Sequence, residues 1–373
     1  MRGENHYVPI LKGRLGEFSA LSHMQSEGTP RYTPLIEFVP TGDELDDNGD
    51  PRLEAVKTTV TKTRDRLLKN WVDNSDMIVD VHGLPPIPGY FPVVELVEWF
   101  FTNHAEAQVI PTCRPTDAND PLLVDLLRNA LSEFSDRKVC IRLADEDLDE
   151  RDEPIAITLD RLLTGLQADP KDVDLVVDFG AINESSVSFA SRVARLIIAD
   201  LPDLDAWKSV TLAAGGFPTD LQDVKPLTIT ELQRWELVMW RELRDRFTGR
   251  RRVPSFGDYG VAYPRQLFSG VAFAPAPQIR YTAPEAWLIL KGRRNDRRGF
   301  AQFLDICRKI TEHAAFTPGL SWGDRQIAEK ALFADQDPPP AEARPGNPTT
   351  WRAIGTSHHM AYVIDRLTTQ GEP

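Results

Sequence analysis

The first two-thirds of the chain alternates between two patterns of hydrophobic residues. Short runs rich in apolar and β-branched residues predict strands, and longer segments with an apolar residue every three or four positions predict amphipathic helices. The predicted strands are residues 7–12, 34–39, 77–82, 108–112, 138–143, 173–179, 207–213 and 253–259. The predicted helices are residues 17–24, 51–72, 90–104, 119–134, 155–168, 185–201 and 228–247. Strands and helices therefore alternate in about eight βα units.

Several predicted strands are apolar along nearly their whole length, for example LIEFVP, MIVDVHG and DLVVDFG. This pattern is typical of parallel strands that are covered on both faces. Eight is the number of parallel strands at which such a sheet closes into a barrel. No predicted strand is followed by the GxGxxG turn of dinucleotide-binding open sheets. We therefore predict an α/β fold of the (β/α)8, TIM-like barrel type and favour it over an open, doubly wound sheet.

The alternation ends after the eighth strand. Residues 268–292 carry short β-rich runs separated by prolines and predict a hairpin insertion, and residues 299–313 and 322–333 predict helices. Residues 1–333 are accordingly assigned to the barrel, with the hairpin included. Residues 334–348 are rich in Pro, Ala and Asp and predict a flexible connector. Residues 349–373 return to helical periodicity, which predicts a C-terminal helix that docks on the barrel.

The composition is typical of a globular protein and argues against several classes of function. Hydrophobic residues make up 41% and charged residues 27% of the chain, and no run approaches the roughly 18 uncharged residues that a membrane helix needs. Lys and Arg number 43 against 56 Asp and Glu, and the net charge of −13 disfavours broad binding to polyanions. The 3 cysteines show no CxxC spacing for zinc and cannot form a disulfide framework. The N-terminus lacks an apolar signal segment, so we expect a cytoplasmic protein without a membrane partner.

The polar residues at the ends of the predicted strands form the candidate site, because the carboxyl ends of parallel strands meet at one opening of a barrel. The candidates for catalysis are Lys12, Glu37, His82, Asp178 and Asp258, and the candidates for ligand binding at the same opening are Arg114, Arg142 and Tyr259. A carboxylate such as Asp178, which ends the apolar run LVVD, is costly to bury unless it is paired or kept for chemistry. Asp80 and His82 lie two positions apart and face the same side, where they can form an acid–base or metal-ligating pair.

Each of these assignments has a structural alternative. Lys12, Arg114 and Arg142 can neutralise the carboxylates in a lattice of ion pairs that merely plugs the barrel. His82 can be a core or loop histidine, and Asp258, within Gly-Asp-Tyr-Gly, can be a turn residue. Two basic clusters, within residues 250–252 and 293–298, are either solvated surface or contacts for phosphate or for a partner.

Three residues of the C-terminal third are further candidates for ligand binding. Trp322 and Trp351 can stack on a nucleobase. His358 lies seven positions after Trp351, nearly on the same helix face, whereas its neighbour His359 points about 100° away. His358 is therefore predicted to be the inward-facing residue of the pair, with helix packing as the alternative role.

A series of motifs runs through the whole chain: YVPILKG from Tyr7, Glu17, PLIE from Pro34, DFG from Asp178, GDY from Gly257, Trp287 with LKG from Leu290, SWGD from Ser321, and Trp351 with His358 and His359. Together they resemble the phage-type Beta-protein family of bacteria and their viruses. The resemblance implies an intracellular bacterial or phage protein, often encoded near mobile or defence-related genes, and it implies no particular reaction. The motifs contain Lys12, Glu37, Asp178, Asp258 and Tyr259, but neither Asp80 nor His82.

Two classes of function remain open. As an enzyme, the protein would use carboxylates to activate water, directly or through a divalent metal such as Mg²⁺, while Lys and Arg stabilise charge on phosphate oxygens. This mixture suits hydrolysis of a phosphoester in a nucleotide or at a nucleic-acid end. The sequence has no HExxH motif, so a metal has little support. As a binding protein, it would recognise a small phosphate-containing ligand or a protein partner, and the C-terminal helix would report occupancy of the mouth.

Overall fold

A computed structural model describes residues 3–24, 31–70, 75–133, 138–144, 147, 153–201, 203–247, 252–265 and 275–373. Eight parallel strands close into a barrel in the order β1-β2-β3-β4-β5-β6-β7-β9. They are β1 (Tyr7–Leu11), β2 (Leu35–Glu37), β3 (Met77–Asp80), β4 (Val109–Cys113), β5 (Val139–Leu143), β6 (Val173–Ala181), β7 (Ser209–Gly215) and β9 (Ser255–Asp258). Strand β9 pairs with both β7 and β1 and so closes the barrel. The predicted (β/α)8 barrel is confirmed.

Helices connect successive barrel strands and cover their outer faces. They are α1 (Leu15–Leu21), α2 (Leu53–Asn70), α3 (Pro92–Asn103), α4 (Pro121–Ser132), α5 (Ile155–Leu166), α6 (Val187–Asp200) and α7 (Trp235–Phe247). Their apolar faces are buried; Leu127 of α4 and Leu159 of α5, for example, are at most 1% exposed. Burial of each such side chain contributes roughly 1.5–3 kcal/mol. Across the described ranges, no helix combines the length and the apolar character needed to cross a membrane.

The interior of the barrel is filled by every second side chain of its strands. An apolar layer is formed by Val8, Ile10, Leu35, Ile78, Ile110, Cys140, Val176, Ala213 and Tyr259. Because side chains alternate between the two faces of a strand, the next inward position towards the carboxyl end lies two residues further along. On five strands those positions are charged, namely Lys12, Glu37, Asp80, Arg142 and Asp178. The same alternating set of inward-facing positions therefore supplies apolar side chains in the core and charged side chains at the mouth of the barrel.

A second sheet of three antiparallel strands, β8 (Thr230–Gln233), β10 (Gln278–Thr282) and β11 (Ala286–Lys291), lies outside the barrel. The hairpin of β10 and β11 falls within the predicted insertion, but β8 lies in a segment predicted to be helical. Residues 228–247 were therefore assigned wrongly in their first part, because pairing of Leu232 with Trp287 of β11 outweighs the helical spacing of the apolar residues. The first part of the predicted insertion, residues 268–274, lies outside the described residues, as do Arg250 and Arg251 of one basic cluster.

Three helices, α8 (Gln302–Thr311), α9 (Trp322–Ala331) and α10 (Pro348–Thr369), complete the described structure. Together with β10 and β11 they enclose a second hydrophobic core around Trp351. Helices α9 and α10 touch backbone to backbone at Gly323, where a Cβ atom would lie 2.3 Å from the carbonyl oxygen of Ile354. The segment between them is tied down by the indole of Trp351, which donates to Pro345 O at 2.9 Å. The SWGD motif thus provides the close approach of these two helices.

Candidate functional site

A cavity of about 200 Å³ opens at the carboxyl ends of the barrel strands. Its charged and phenolic lining residues are Lys12 after β1, Glu37 of β2, Asp80 and His82 at the end of β3, Arg114 after β4, Arg142 of β5, Asp178 of β6, Tyr259 after β9, and Arg265. Most of the residues selected from the strand ends therefore meet in one place. Asp258, Trp322, Trp351 and His358 do not line this cavity.

The guanidinium group of Arg142 forms the centre of the cavity floor. Its Nη1 lies 2.5 Å from Asp80 Oδ2, its Nη2 lies 2.8 Å from Glu37 Oε1, and its Nε lies 3.0 Å from Asp178 Oδ2. Nη2 also donates to the hydroxyl of Tyr259 at 2.7 Å. Arg142 is only 2% exposed, so this single cation holds three carboxylates together in a poorly solvated place.

Glu37 is the carboxylate of the cavity that is most open to solvent. Its side chain is 15% exposed, compared with 2% for Asp80 and 1% for Asp178. One of its oxygens accepts from Arg142, and the other accepts from Lys12 Nζ at 3.0 Å. Lys12 Nζ also donates to the carbonyl oxygen of Pro264. Glu37 is therefore held between two cations and remains accessible from the opening.

His82 is clamped between two carboxylates. Its Nδ1 lies 2.8 Å from Asp80 Oδ1 and its Nε2 lies 3.0 Å from Asp117 Oδ2. Burial by itself would lower the pKa of His82, but the two carboxylates outweigh burial and raise this pKa to about 9. At neutral pH the ring is therefore protonated, and both nitrogens donate. His82 adds a positive charge to the wall of the cavity.

The raised pKa of His82 predicts a loss of stability in alkali. Its contribution is fully present below the ordinary pKa of 6.5 and disappears as the pH rises through about 9. Between these values we expect the wild-type free energy of unfolding to fall by up to about 3 kcal/mol, and the variant His82→Gln to lack this decrease. Urea titrations across the range measure the difference. Parallel pH profiles for the two proteins would contradict the assignment of a charged His82.

Tyr259 donates its phenolic proton to Asp178 Oδ2 at 2.6 Å, while Gly180 N donates to Asp178 Oδ1 at 2.9 Å. Burial raises the pKa of Tyr259 well above its usual value, and the negative charges of Asp178 and Glu37 add to this although Arg142 opposes it. The phenol thus stays protonated as a donor.

The carboxylates of the mouth point towards a guanidinium group that already fills the place of a cation. Asp80, Glu37 and Asp178 each direct an oxygen to Arg142. Within the described ranges, no group of three or more His, Cys, Asp or Glu side chains could hold a metal ion. This donor set does not fit the divalent metal that was considered from the sequence.

Asp258 lies on the other side of the barrel wall. Successive residues of a strand face opposite sides, so Asp258 must point outward if its neighbour Tyr259 points into the cavity. Its Oδ1 accepts from the hydroxyl of Tyr7 at 2.6 Å and its Oδ2 lies 2.8 Å from Nε2 of His359. The structure therefore separates Asp258 from Lys12, Glu37 and Asp178, with which the sequence analysis had grouped it.

A buried ion pair that the sequence analysis missed lies near Asp258. Arg234 Nε donates to Glu236 Oε1 at 3.0 Å, and the two side chains are at most 1% exposed. Burial raises the pKa of Glu236 to about 7, although the charge of Arg234 opposes this. Among the described residues, the two terminal nitrogens of Arg234 and the second carboxylate oxygen of Glu236 have no hydrogen-bond partner. Such atoms are normally satisfied by ordered water.

The three C-terminal candidates for ligand binding are distributed over other parts of the structure. Trp322 stacks on His23 at a centroid distance of 4.1 Å and lines a separate cavity of about 240 Å³. Trp351 stacks on Phe303 within the second hydrophobic core. His358 is fully buried, with Nδ1 3.0 Å from Asp324 Oδ1 and Nε2 2.9 Å from a backbone carbonyl.

Two acidic residues behind the cavity were also missed from the sequence. Asp117 accepts the backbone N–H of Arg114 at 2.7 Å, and Asp147 Oδ2 lies 3.6 Å from Arg114 Nη1. Asp117 could have been found, because Arg-Pro-Thr-Asp directly after a strand is a capping pattern for a short helix. Asp147 lies in an acidic stretch without any recognisable spacing.

Solved structures with some resemblance to this chain come from different kinds of protein. A trimodular GH5_4 subfamily endoglucanase matches with a TM-score of 0.34 and 8% identity, over 69% of this chain and 56% of that chain. Triosephosphate isomerase from Bartonella henselae matches with a TM-score of 0.33 and 12% identity, over 69% and 92% of the two chains. A variant of NCR from Zymomonas mobilis matches with a TM-score of 0.27 and 12% identity, over 69% and 70%. This chain spans little more than half of the endoglucanase, and similarity this low carries no argument about activity.

The sequence itself gives a more specific match. No curated protein matches the chain. The sequence model of the Beta protein family, in contrast, matches residues 7–365. This range begins with β1, includes every barrel strand and the second sheet, and ends within α10. The match therefore covers the cavity and the elements that position it, and the chain belongs to the Beta protein family.

Proposed function

We propose that the barrel mouth binds a small ligand that carries a phosphate group. The observation that supports this is the charge of the cavity lining. Five cations line the cavity, namely Lys12, His82, Arg114, Arg142 and Arg265, against the three carboxylates of Glu37, Asp80 and Asp178. The lining therefore carries two more positive than negative charges in a protein whose net charge is −13, and Asp117 and Asp147 balance them from behind the wall through their contacts with His82 and Arg114. Because the cations face the cavity and these two carboxylates do not line it, a phosphate dianion would meet the positive charges first, in a cleft that concentrates their field.

The cations of the cavity would have different roles in binding the ligand. Arg142 is saturated by its carboxylates and by Tyr259, so it would hold the floor rigid instead of contacting the ligand directly. Arg114 lies at the cavity wall, 3.6 Å from Asp80 and 3.6 Å from Asp147 in two of its ion pairs. A phosphate oxygen would compete with these carboxylates for the guanidinium group. His82 would add its charge from the same wall.

Substitution of Arg114 by glutamine is expected to weaken phosphate binding by about tenfold or more, because a hydrogen bond to a charged group contributes roughly 1.5–3 kcal/mol. Isothermal titration calorimetry with inorganic phosphate and a panel of nucleotides measures the effect. The matched control is Arg161→Gln on α5. It removes the same charge from a surface ion pair with Glu153, in which the Arg161 side chain is 45% exposed. Absence of saturable binding to wild-type protein, or equal weakening by the control, would reject the proposal.

Hydrolysis of a phosphoester is the second candidate function, and the position of Glu37 favours it. This carboxylate is the most accessible of the three in the cavity and is fixed by Lys12 and Arg142. In that position it could orient a water molecule and accept its proton, while the cations stabilise charge on the phosphate.

Ligand binding alone and phosphoester hydrolysis are distinguished by whether a product forms from the bound ligand. A hydrolase should release product from one of the bound nucleotides, and Glu37→Gln should abolish turnover while retaining ligand binding. Asp178→Asn provides a second variant that changes the floor of the cavity. Saturable binding without product over hours would leave the protein as a binding component and exclude hydrolysis of the ligands tested.

A further inference from the structure

Two arginines from different elements lie side by side close to the barrel mouth. Arg280 belongs to β10 and Arg352 to α10, and the Nη1 atom of each donates to the same carbonyl oxygen, that of Val261, at 2.6 and 3.0 Å. The guanidinium group of Arg280 also lies over the ring of Phe217, 4.4 Å from its centroid. Sharing one acceptor brings the two positive charges close together. We call Arg280 and Arg352 the arginine pair.

The two charges of the arginine pair are poorly compensated. Among the described residues, neither arginine has a carboxylate within ion-pair distance, and the carbonyl oxygen between them carries no net charge. Glu17 is close enough to favour both charges, but its Oε2 accepts from the backbone N–H groups of Lys12 and Arg14, at 2.8 and 3.4 Å. Residues 266–274, which lie outside the described residues, contain no Asp or Glu.

Both charges are also partly removed from water. Burial and the charge of Arg352 lower the pKa of Arg280 well below its usual value, although Glu17 opposes this. Burial lowers the pKa of Arg352 in the same way, again against the effect of Glu17. A charge that is taken out of water is normally paired with an opposite charge. The arginine pair instead places two like charges together.

The arginine pair is held in position before any ligand arrives. A Cβ atom on Gly355 of α10 would lie 2.7 Å from the carbonyl oxygen of Arg280, so glycine allows α10 to approach β10 closely. The shared acceptor, Val261, is 2% exposed and therefore offers a fixed point to both side chains. Order of this kind lowers the entropic cost of binding.

The loop after β9 lies between the arginine pair and the barrel mouth. Val261 comes two residues after Tyr259, which lines the mouth, and three residues before Pro264, whose carbonyl oxygen accepts from Lys12 Nζ. Three residues span at most about 10 Å. Neither arginine of the pair lines the cavity of the mouth. The pair is thus a neighbour of the mouth that shares no side chain with it.

We infer that the arginine pair binds a phosphate group next to the barrel mouth. Guanidinium groups are planar forks of N–H donors that suit the oxygens of phosphate, and here two of them converge from separate elements. A phosphate dianion would neutralise both charges, whereas a single carboxylate would neutralise one. This site goes beyond the function proposed above, because that function depends only on the residues of the mouth.

Calorimetric titration of the full-length protein with inorganic phosphate tests the inference. Arg114→Gln weakens the barrel mouth, so the phosphate that this variant still binds reports on the arginine pair. Adding Arg352→Gln to Arg114→Gln should weaken the remaining binding by about tenfold or more. Adding Arg161→Gln on the surface of α5 removes the same charge and should leave the remaining binding unchanged.

Thermal unfolding distinguishes a ligand site from a purely structural clamp on the loop. In phosphate-free buffer, Arg352→Gln should melt no lower than the wild-type protein, because it relieves the repulsion within the pair. Added phosphate should raise the melting temperature of the wild-type protein more than that of Arg352→Gln, because only the intact pair gains the counter-charge. The same comparison with Arg280→Gln provides a second variant.

The inference would be overturned by any of four results. Arg114→Gln that binds no phosphate would confine binding to the mouth, whereas failure of Arg114→Gln to weaken any binding would count against the mouth alone. Equal effects of Arg352→Gln and Arg161→Gln would show that net charge is responsible. A lower melting temperature of Arg352→Gln in phosphate-free buffer would make the pair a structural clamp. Acetate that binds as tightly as phosphate would make it a carboxylate site.

Discussion

Replacement of Arg142 by methionine is expected to lower the free energy of unfolding by about 3–5 kcal/mol at neutral pH, because it leaves buried carboxylates without their common partner. Asp80 and Asp178 are at most 2% exposed and both depend on this guanidinium group. Tyr259 also loses the donor to its hydroxyl. Urea unfolding followed by circular dichroism measures the loss. Arg161→Met on the surface of α5 is the control and should change stability by no more than about 0.5 kcal/mol.

The deficit of Arg142→Met should shrink in acid. Burial opposes ionisation of Asp80, but His82, Arg142 and Arg114 outweigh it and hold the pKa of Asp80 well below its ordinary value of 3.8. The stability from this group is therefore present above 3.8 and is lost only as the pH falls through the lower folded value. Without Arg142 the pKa of Asp80 rises, and protonation then relieves the repulsion. A deficit that is constant from neutral pH down to 4 would contradict the electrostatic explanation.

Substitution of Asp258 by alanine is expected to destabilise the protein by about 3–5 kcal/mol as well, for a different reason. This carboxylate is 1% exposed and joins the barrel wall to the C-terminal helix. It accepts from Tyr7, from His359 and from Gly260 N, and all three donors would remain buried without an acceptor. Chemical denaturation of the purified variant measures the change.

A double-mutant cycle isolates the contact between Asp258 and His359. The single variants Asp258→Ala and His359→Ala and the double variant should give a coupling energy of about 1 kcal/mol or more, because the atoms are 2.8 Å apart in a buried site. Asp365→Ala on α10, which is exposed, is the control. Additive effects of the two substitutions would show that this contact does not hold α10 on the barrel.

The two consecutive histidines explain how α10 is fixed between two layers. His359 reaches the barrel at Asp258, while Thr282 of β10 occupies its other ring nitrogen at 2.8 Å. His358 reaches Asp324 of α9 and stacks on Tyr281 at a centroid distance of 3.7 Å. Residues about 100° apart on a helix point to different neighbours, and here one ring contacts the barrel and the other contacts α9. The prediction that His358 alone faces inward assumed one covered side, and the structure places both rings inside.

Some residues of the barrel mouth can be identified from the sequence by their positions at the ends of the strands. Lys12, Glu37 and Arg142 could be found because each follows an inward apolar residue by two positions. Tyr259 and Asp258 were assigned to the same opening, although neighbours on a strand face opposite sides. The alternation of side chains along a strand would exclude Asp258 from this opening, but only if it is known which residues of β9 face the interior of the barrel. The residues of β9 on the same face as Tyr259 are Ser255 and Gly257, and because neither is hydrophobic, the sequence does not show that this face is the inner one.

The sequence by itself determined the barrel, the order of its strands and the family, because these depend on local periodicity and on motifs in chain order. Only the tertiary structure decided that β8 joins the hairpin, that Arg142 gathers three carboxylates, and that Asp258 belongs to the C-terminal helix. Each of these depends on partners between 36 and 105 positions apart, such as Arg142 with Asp178 and with Glu37. Local hydrophobicity reports whether a side chain is buried, whereas its partner is selected by the packing of distant elements.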